Sequence, residues 1–305
     1  MQGIDIAKAW YENHLLPALE KEMPEILSCA AIGIAGRGSE CFGFDDDISR
    51  DHDFDPKPSV WLTCKDDQLY GFKLIRLYNR ICKESGAAAD DSGSSLLGDN
   101  EKGVEVIDDF LLRHLGYAHV PETWQQWFYT PEYAFAETVN GCIFRDDSNI
   151  FTSIRENISH GMPEDVRLKK LAAHTILAAQ SGQYNYQRCL KHHEPGAAAV
   201  ALSDFITHTV HIVHLLNFKF TPYYKWMLRS MQSLPLLGNL SDNLNQLPDA
   251  ENKTEIIEQI CTAIAGELKN SGLSDSTSDY LEPHAFDITS RIQSREIKSL
   301  HIMDH

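Results

Sequence analysis

The residues best suited to chemistry are two aspartates, Asp51 and Asp53, which lie two positions apart. They stand at the start of a predicted strand, a few residues after the pair Gly38-Ser39. Side chains two residues apart on a strand project to the same face, so we expect the two carboxylates side by side. Adjacent carboxylates repel and favour a divalent cation between them, preferably the hard ion Mg²⁺.

Three further residues could complete this site. Glu105 lies on a neighbouring predicted strand and could supply a third carboxylate, although Asp108 or Asp109 could take its place. Gly38 would let the backbone approach a phosphate, and Ser39 offers a hydroxyl and an amide donor at a helix N-terminus. In-line nucleotidyl transfer needs this combination, because metal ions bridge the triphosphate oxygens and neutralise the charge that develops. We interpret the preceding run of aspartates, residues 45–47, as a solvated acidic loop.

Hydrophobic periodicity supplies the elements that would position these residues. Up to about residue 147 the patterns predict strands at 29–35, 54–64, 103–107 and 141–145 and helices at 4–22, 66–84 and 108–115. Residues 86–102 are small and polar and predict a mobile loop or hairpin tip within the domain. From residue 148 the patterns are only helical, at 148–158, 163–192, 196–217, 221–232, 252–270 and 284–300. We therefore expect an α/β domain with a small mixed sheet at 1–147 and a helical bundle at 148–305.

The composition limits the partners. The formal net charge is −17, from 44 acidic and 27 basic residues, which disfavours binding to DNA or RNA but not to a small phosphorylated ligand. The seven cysteines are scattered without a C-x-x-C pair, which argues against a disulfide framework and a structural zinc site. The N-terminal segment lacks the apolar core of a signal peptide, and we expect no membrane span and a cytoplasmic protein.

The motif residues resemble a known superfamily. Gly38-Ser39, Gly43, Ser49 and Asp51-x-Asp53 are similar to the signature of minimal, DNA-polymerase-β-like nucleotidyltransferases, which include aminoglycoside-modifying enzymes; Arg50 is one extra residue. The longer string from residue 36 to 53 resembles an uncharacterised bacterial family, a domain of unknown function assigned to the same superfold. That family also has a helical second half with a Pro-Tyr-x-Lys-Trp element, here residues 222–226. The resemblance extends over most of residues 30–240.

The resemblance implies a nucleotidyltransferase fold, a Mg²⁺ site and a nucleoside triphosphate. Asp51, Asp53 and Glu105 would be the catalytic and metal-binding residues, and Gly38, Ser39 and Lys225 would bind the nucleotide. The expected reaction is transfer of a nucleoside monophosphate, AMP from ATP, to a hydroxyl or similar group of a small-molecule or protein acceptor. We expect a small-molecule acceptor in the cleft between the domains, where Tyr223, Tyr224 and Trp226 could form one wall.

Two other functions remain open. The fold could bind a nucleotide or partner without transferring anything, although the carboxylate pair argues against this. Arg155-x-x-x-x-His160 fits the short motif of helical ribonuclease domains, but an acidic ribonuclease would repel its own substrate.

Other motifs fit structural roles better. His208, His211 and His214 are spaced by three along a predicted helix. This spacing favours a role in helix packing over a role in metal binding. Asp51-x-Asp53-x-Asp55 lacks the glycine and glutamate of a calcium loop, and Gly36-x-Gly38 lacks the third glycine of a dinucleotide fingerprint.

Overall fold

A computed structural model of the chain describes residues 2–46, 57–86 and 103–305. These residues form two compact units. The first consists of residues 1–121 and 134–161, and the second of residues 122–133 and 162–305. The domain boundary predicted near residue 147 lies between the unit boundaries at 133 and 161.

The strands of the described chain form one mixed sheet, which lies in the first unit. In chain order they are β1 (Ala31–Ile34), β2 (Ser59–Leu62), β3 (Val104–Val106) and β4 (Cys142–Asp146). Their order across the sheet is β3-β2-β1-β4; β1 is antiparallel to β2 and β4, and β2 is parallel to β3. Each lies within one residue of a segment predicted as a strand. The predicted small mixed sheet is therefore confirmed.

Helices make up most of the described chain. They are α1 (Gly3–Trp10), α2 (Leu16–Glu22), α3 (Ser39–Phe42), α4 (Cys64–Asp66), α5 (Phe72–Glu84), α6 (Ile107–Leu115), α7 (Trp124–Tyr129), α8 (Glu132–Val139), α9 (Ile150–His160), α10 (Glu164–Ala178), α11 (Gln187–Lys191), α12 (Pro195–Leu216), α13 (Tyr224–Met231), α14 (Leu240–Gln246), α15 (Lys253–Asn270), α16 (Leu281–Arg291) and α17 (Arg295–Lys298). Three π-helical segments, Tyr11–Leu15, Asp67–Gly71 and Ala179–Tyr186, join α1 to α2, α4 to α5 and α10 to α11.

The main core of the first unit lies on one face of the sheet. Alternation along β2 directs Val60 and Leu62 to this face, where they join the buried side of α5. On α5 the buried residues Leu74, Leu77 and Tyr78 recur at helical spacing, so a single amphipathic stripe covers the sheet. The N-terminal helices complete the cluster with residues that include Leu15, Leu19 and Met23.

A cluster of aromatic side chains occupies the other face of the sheet. Trp61 of β2 is fully buried and stacks on Phe151 of α9, with ring centroids 4.6 Å apart. Phe110 of α6 meets both rings edge-on, at 5.6 Å from Trp61 and 5.4 Å from Phe151. Glu105 of β3 is the register partner of Trp61 in the parallel pair, so it belongs to this face.

The second unit is helical, and α10 forms its centre. This helix is buried nearly all round and packs against α12 and α16, as expected of a core helix. Among the described residues, only α12 is long and apolar enough to cross a membrane by length and composition. More than half of its apolar window is buried, 56%. A core helix passes the same test, so α12 is weak support for a membrane span.

Candidate functional site

The glycine-serine turn follows β1 directly. Gly36 has φ of 121°, which side chains other than glycine rarely adopt. The side-chain amide of Asn140 makes two hydrogen bonds to the backbone of Gly36. Asn140 Oδ1 accepts from the Gly36 N–H at 2.9 Å, and Asn140 Nδ2 donates to the Gly36 carbonyl at 2.7 Å. Gly38 then caps α3 with an extended backbone, and Ser39 is the first residue of that helix. The predicted strand, turn and helix are therefore present.

The space beside Gly38 is occupied by a carboxylate. Glu40 is buried, and its carboxylate oxygens lie 2.3 Å from the position that a Cβ on residue 38 would take. A side chain at residue 38 would therefore displace the Glu40 carboxylate, whereas glycine leaves room for it. A phosphate that contacted Gly38 from this side would require Glu40 to move.

Glu105 is held by two donors on the aromatic face. Its Oε1 accepts from Trp61 Nε1 at 2.8 Å, and its Oε2 accepts from Arg113 Nη2 at 2.6 Å. Burial raises the pKa of Glu105, although Arg113 and Trp61 act in the opposite direction. A carboxylate has about four lone-pair positions, so these two bonds leave capacity for a cation. Its oxygens are hard donors of the kind that Mg²⁺ binds.

Asp51 and Asp53 lie outside the described residues, as does most of the loop predicted at 86–102. In the sequence they fall between α3 and β2. The alternatives to Glu105, Asp108 and Asp109, are exposed in the first turn of α6.

One neighbouring acidic residue corrects the sequence interpretation. Asp45 is not solvated: it is buried, and its Oδ2 accepts from the Gly3 N–H at 2.9 Å. This contact satisfies a backbone donor at the start of α1, which explains why a charged residue is buried there. Asp46 is exposed as expected, and Asp47 lies outside the described residues.

Lys225 belongs to the second unit. It is exposed in the first turn of α13, with its ammonium 5.6 Å from the centre of the Trp226 ring. Tyr223 and Tyr224 are also exposed, and their rings lie 4.4 Å apart. These residues form a basic, aromatic surface at the start of α13.

The arginine of the ribonuclease-like motif has a structural role. Arg155 is half-buried and donates to the carbonyls of Thr138 at 3.1 Å, Val139 at 2.9 Å and Asn140. These carbonyls lie at and just beyond the end of α8, where helical partners are missing. His160 is exposed at the end of α9, with Nδ1 3.0 Å from the Glu156 carbonyl oxygen.

The three regularly spaced histidines of α12 have different surroundings. His214 is buried, and its ring nitrogens contact the Val210 carbonyl at 2.9 Å and the Ser230 hydroxyl at 3.1 Å. This is the packing role that the sequence favours. His208 and His211 instead lie against His174 of α10.

The grouping around His174 could not be predicted from the sequence, because His174 and His305 are distant along the chain from His208 and His211. One signal was present: four basic residues, Arg167, Lys169, Lys170 and His174, interrupt the apolar residues of α10, and all four are buried in the structure. Buried polar groups require partners.

Comparison with known proteins identifies one segment. Residues 127–227 match the model of a domain of unknown function, DUF4037. The match covers about a third of the chain and includes the Pro222–Trp226 element. It is consistent with the resemblance to an uncharacterised family. No curated protein and no solved structure matches the chain.

Proposed function

We propose that this chain is a Mg²⁺-dependent nucleotidyltransferase that moves AMP from ATP to a hydroxyl or similar group of an acceptor. The nucleotide would bind at Gly38 and Ser39. Asp51, Asp53 and Glu105 would hold the metal, and Lys225 would contact the triphosphate. The first half of the chain would then have the nucleotidyltransferase fold.

The order of the elements supports this proposal best. Gly38-Ser39 follows β1, and the segment with Asp51 and Asp53 leads into β2, the antiparallel neighbour of β1. Glu105 lies on β3, the parallel neighbour on the other side of β2. The three candidate motifs thus belong to three adjacent strands or to the segments joined to them. Neighbouring strands are about 4.8 Å apart, a spacing that suits ligands of one metal site.

The carboxylates and the turn have separate tasks in this reaction. Bound Mg²⁺ would supply charge neutralisation at the triphosphate. The Ser39 hydroxyl and backbone amide would orient the phosphates, and Trp61 and Arg113 would keep Glu105 in place. The acceptor oxygen would bond to the α-phosphorus of ATP. The bond between that phosphorus and the oxygen bridging the α- and β-phosphates would break, and pyrophosphate would leave. A nearby carboxylate takes the proton of the acceptor.

A label-transfer experiment tests the reaction. The full chain is incubated with Mg²⁺, ATP labelled at the α-phosphate and a filtered extract of small metabolites. We expect a labelled product, equimolar release of pyrophosphate and loss of both in Asp51→Asn and Asp53→Asn. Asp249→Asn, a change at an exposed aspartate of the second unit, is the matched control and should keep both.

The experiment also distinguishes the two other functions. A non-catalytic module would bind the nucleotide but release no pyrophosphate under any condition. A ribonuclease would cleave RNA and lose cleavage in His160→Ala. We do not expect this second outcome, because Arg155 is engaged by three backbone carbonyls and the chain carries a net charge of −17.

A further inference from the structure

Four histidines come together in the second unit. We call His174, His208, His211 and His305 the histidine cluster. His174 is at its centre: its Nδ1 lies 2.9 Å from Nδ1 of His208, its ring stacks on His211 at 4.3 Å, and the His305 ring lies 4.5 Å away. Two core helices, α10 and α12, and the segment that follows α17 supply these side chains.

A buried lysine fixes the segment that carries His305. Lys169 of α10 is buried, and its ammonium donates to the carbonyls of His301 at 2.6 Å, Ile302 at 3.1 Å and Asp304 at 2.9 Å. A buried ammonium needs such acceptors. The helix that supplies His174 therefore also holds the chain beside His305, so the approach of the two rings is a feature of the packed fold.

The tautomer of His305 leaves a lone pair for a ligand. Its Nδ1 lies 3.0 Å from the Met303 carbonyl oxygen, and a carbonyl only accepts, so Nδ1 carries the proton. Nε2 is then the basic nitrogen. A metal-binding histidine commonly donates its other ring N–H to a backbone carbonyl in this way.

Three nitrogens of the cluster have the spacing of a metal site. One ring nitrogen from each of His174, His208 and His305 lies within 4.8 Å of the others. Two imidazole ligands of a tetrahedral Zn²⁺, each about 2.0–2.1 Å from the metal, are about 3.3 Å apart. The Nδ1 atoms of His174 and His208 are 2.9 Å apart, which is a hydrogen-bond distance. Metal binding would replace this hydrogen bond, with a slight separation of the two rings and a small movement of the exposed His305 towards them.

The two inner rings, His174 and His208, are hydrogen-bonded to each other. His174 is 2% exposed. One of the two Nδ1 atoms donates and the other accepts, so coordination through both Nδ1 atoms requires that the donor's proton moves to Nε2 of that ring.

Charged groups beside the cluster are compatible with a cation. Glu132 of α8 is buried; its Oε2 lies 3.3 Å from His211 Nδ1 and accepts from the Thr221 N–H at 3.2 Å. Its Oε1 is buried without a hydrogen-bond partner. The Lys170 ammonium is 3.9 Å from that oxygen and offsets part of its charge. This carboxylate orients His211, which stacks on the proposed ligand His174.

Solvent reaches the cluster from one side. His305 is exposed, and His208 also lines a cavity of about 270 Å³ together with Gln180, Asn185 and Asp204. A metal held by three histidines here would keep a coordination position for water or a small ligand. Sites with three protein ligands and one open position are typical of reactive zinc, whereas four protein ligands are typical of structural zinc.

We propose that His174, His208 and His305 form a site for a divalent transition metal of the Zn²⁺ class. Glu132 and His211 lie beside it as a supporting pair. The site uses none of the residues proposed to bind Mg²⁺ or the nucleotide. It is therefore independent of the proposed transferase activity.

Metal titration of the full chain tests this site. The protein is first treated with a chelator, and Zn²⁺ binding is then followed by calorimetry and Co²⁺ binding by visible absorption. We expect one strongly bound Zn²⁺ per chain and the d–d absorption of Co²⁺ bound by nitrogen ligands. His208→Ala and His305→Ala should each weaken binding at least tenfold. His192→Ala, at an exposed histidine of the same unit, should bind as the unchanged chain does.

Circular dichroism of each variant shows whether it is folded. Because His305 is exposed, His305→Ala removes a proposed ligand without changing the buried core. The proposal is overturned if the unchanged chain binds no Zn²⁺, or if His305→Ala and His208→Ala bind it as well as His192→Ala. Loss in Glu132→Gln and His211→Ala, with retention in His305→Ala, would assign the metal to Glu132, His174 and His211 instead. Asp51→Asn and Asp53→Asn should leave this binding unchanged, which separates it from the Mg²⁺ site.

Discussion

Replacing Glu105 with glutamine tests the ion pair that anchors the proposed third metal ligand. The amide keeps the size of the side chain, and its oxygen can still accept from Trp61. Its NH₂ group, however, would face the Arg113 guanidinium, which is 2.6 Å from Oε2 of the native carboxylate. Two donors would then oppose each other, and Arg113, whose Nε is already buried without a hydrogen-bond partner, would lose its counter-charge.

The expected size of this effect follows from burial. Removing one partner of a fully buried ion pair costs about 3–5 kcal/mol. Here the side chains are 28% and 14% exposed for Arg113 and Glu105, and solvent screens the remaining charge, so we expect about 2 kcal/mol. For a domain of this size that corresponds to a fall in Tm of roughly 4–8 °C.

A double-mutant cycle with thermal unfolding, followed by circular dichroism, measures this interaction. Glu105→Gln and Arg113→Met should each destabilise the protein, and the double variant should lose less than the sum because neither charge is left unpaired. Glu105→Gln should also weaken the stabilisation by Mg²⁺ and ATP, whereas Arg113→Met should largely keep it. Unchanged Tm in Glu105→Gln, or additive losses in the double variant, would refute the anchoring role.

Three further outcomes follow from other contacts. Arg155→Met should lower the free energy of unfolding in urea by about 3–4 kcal/mol, because three carbonyls lose a charged donor; the exposed-site change Arg295→Met should have little effect. Gly36→Ala should cost about 1–3 kcal/mol by thermal unfolding, since φ is 121° there, whereas Gly196→Ala, in open space within α12, should be neutral or stabilising. The chain should not retard duplex DNA or total RNA in a gel at physiological salt, and a clear shift would contradict the role assigned to its net charge of −17.

The regular elements could be predicted because each carries a strong local pattern. The apolar run that contains β1 and the alternation of Val60 and Leu62 indicate strands, and the structure has them at Ala31–Ile34 and Ser59–Leu62. The long helical predictions at 4–22, 66–84 and 163–192 correspond to helices continued through π-helical segments, which preserve the hydrophobic stripe. A weaker hydrophobic pattern did not predict α14. The structure nevertheless buries Leu244, within this helix, and Leu247, the residue that follows it, completely.

The contacts between distant residues could not be predicted in this way. Arg155 has three acceptors on another helix end, and Asp45 caps a helix 42 residues earlier in the chain. The histidine cluster joins residues 174, 208, 211 and 305, and no spacing in the sequence connects His174 or His305 to the pair His208 and His211. Periodicity reports which face of an element is buried; it does not report which other element covers that face.

Nucleotide binding measured by thermal shift tests the central proposal most directly, because it needs no knowledge of the acceptor. A ligand that binds only the folded state at 100 times its Kd stabilises it by about 2.7 kcal/mol. With millimolar ATP or another of the four common triphosphates, we expect a rise in Tm that requires Mg²⁺. The rise should disappear in Asp51→Asn and Asp53→Asn and persist in Asp249→Asn. No Mg²⁺-dependent rise with any of the four triphosphates, or an undiminished rise in both aspartate variants, would contradict the proposed site.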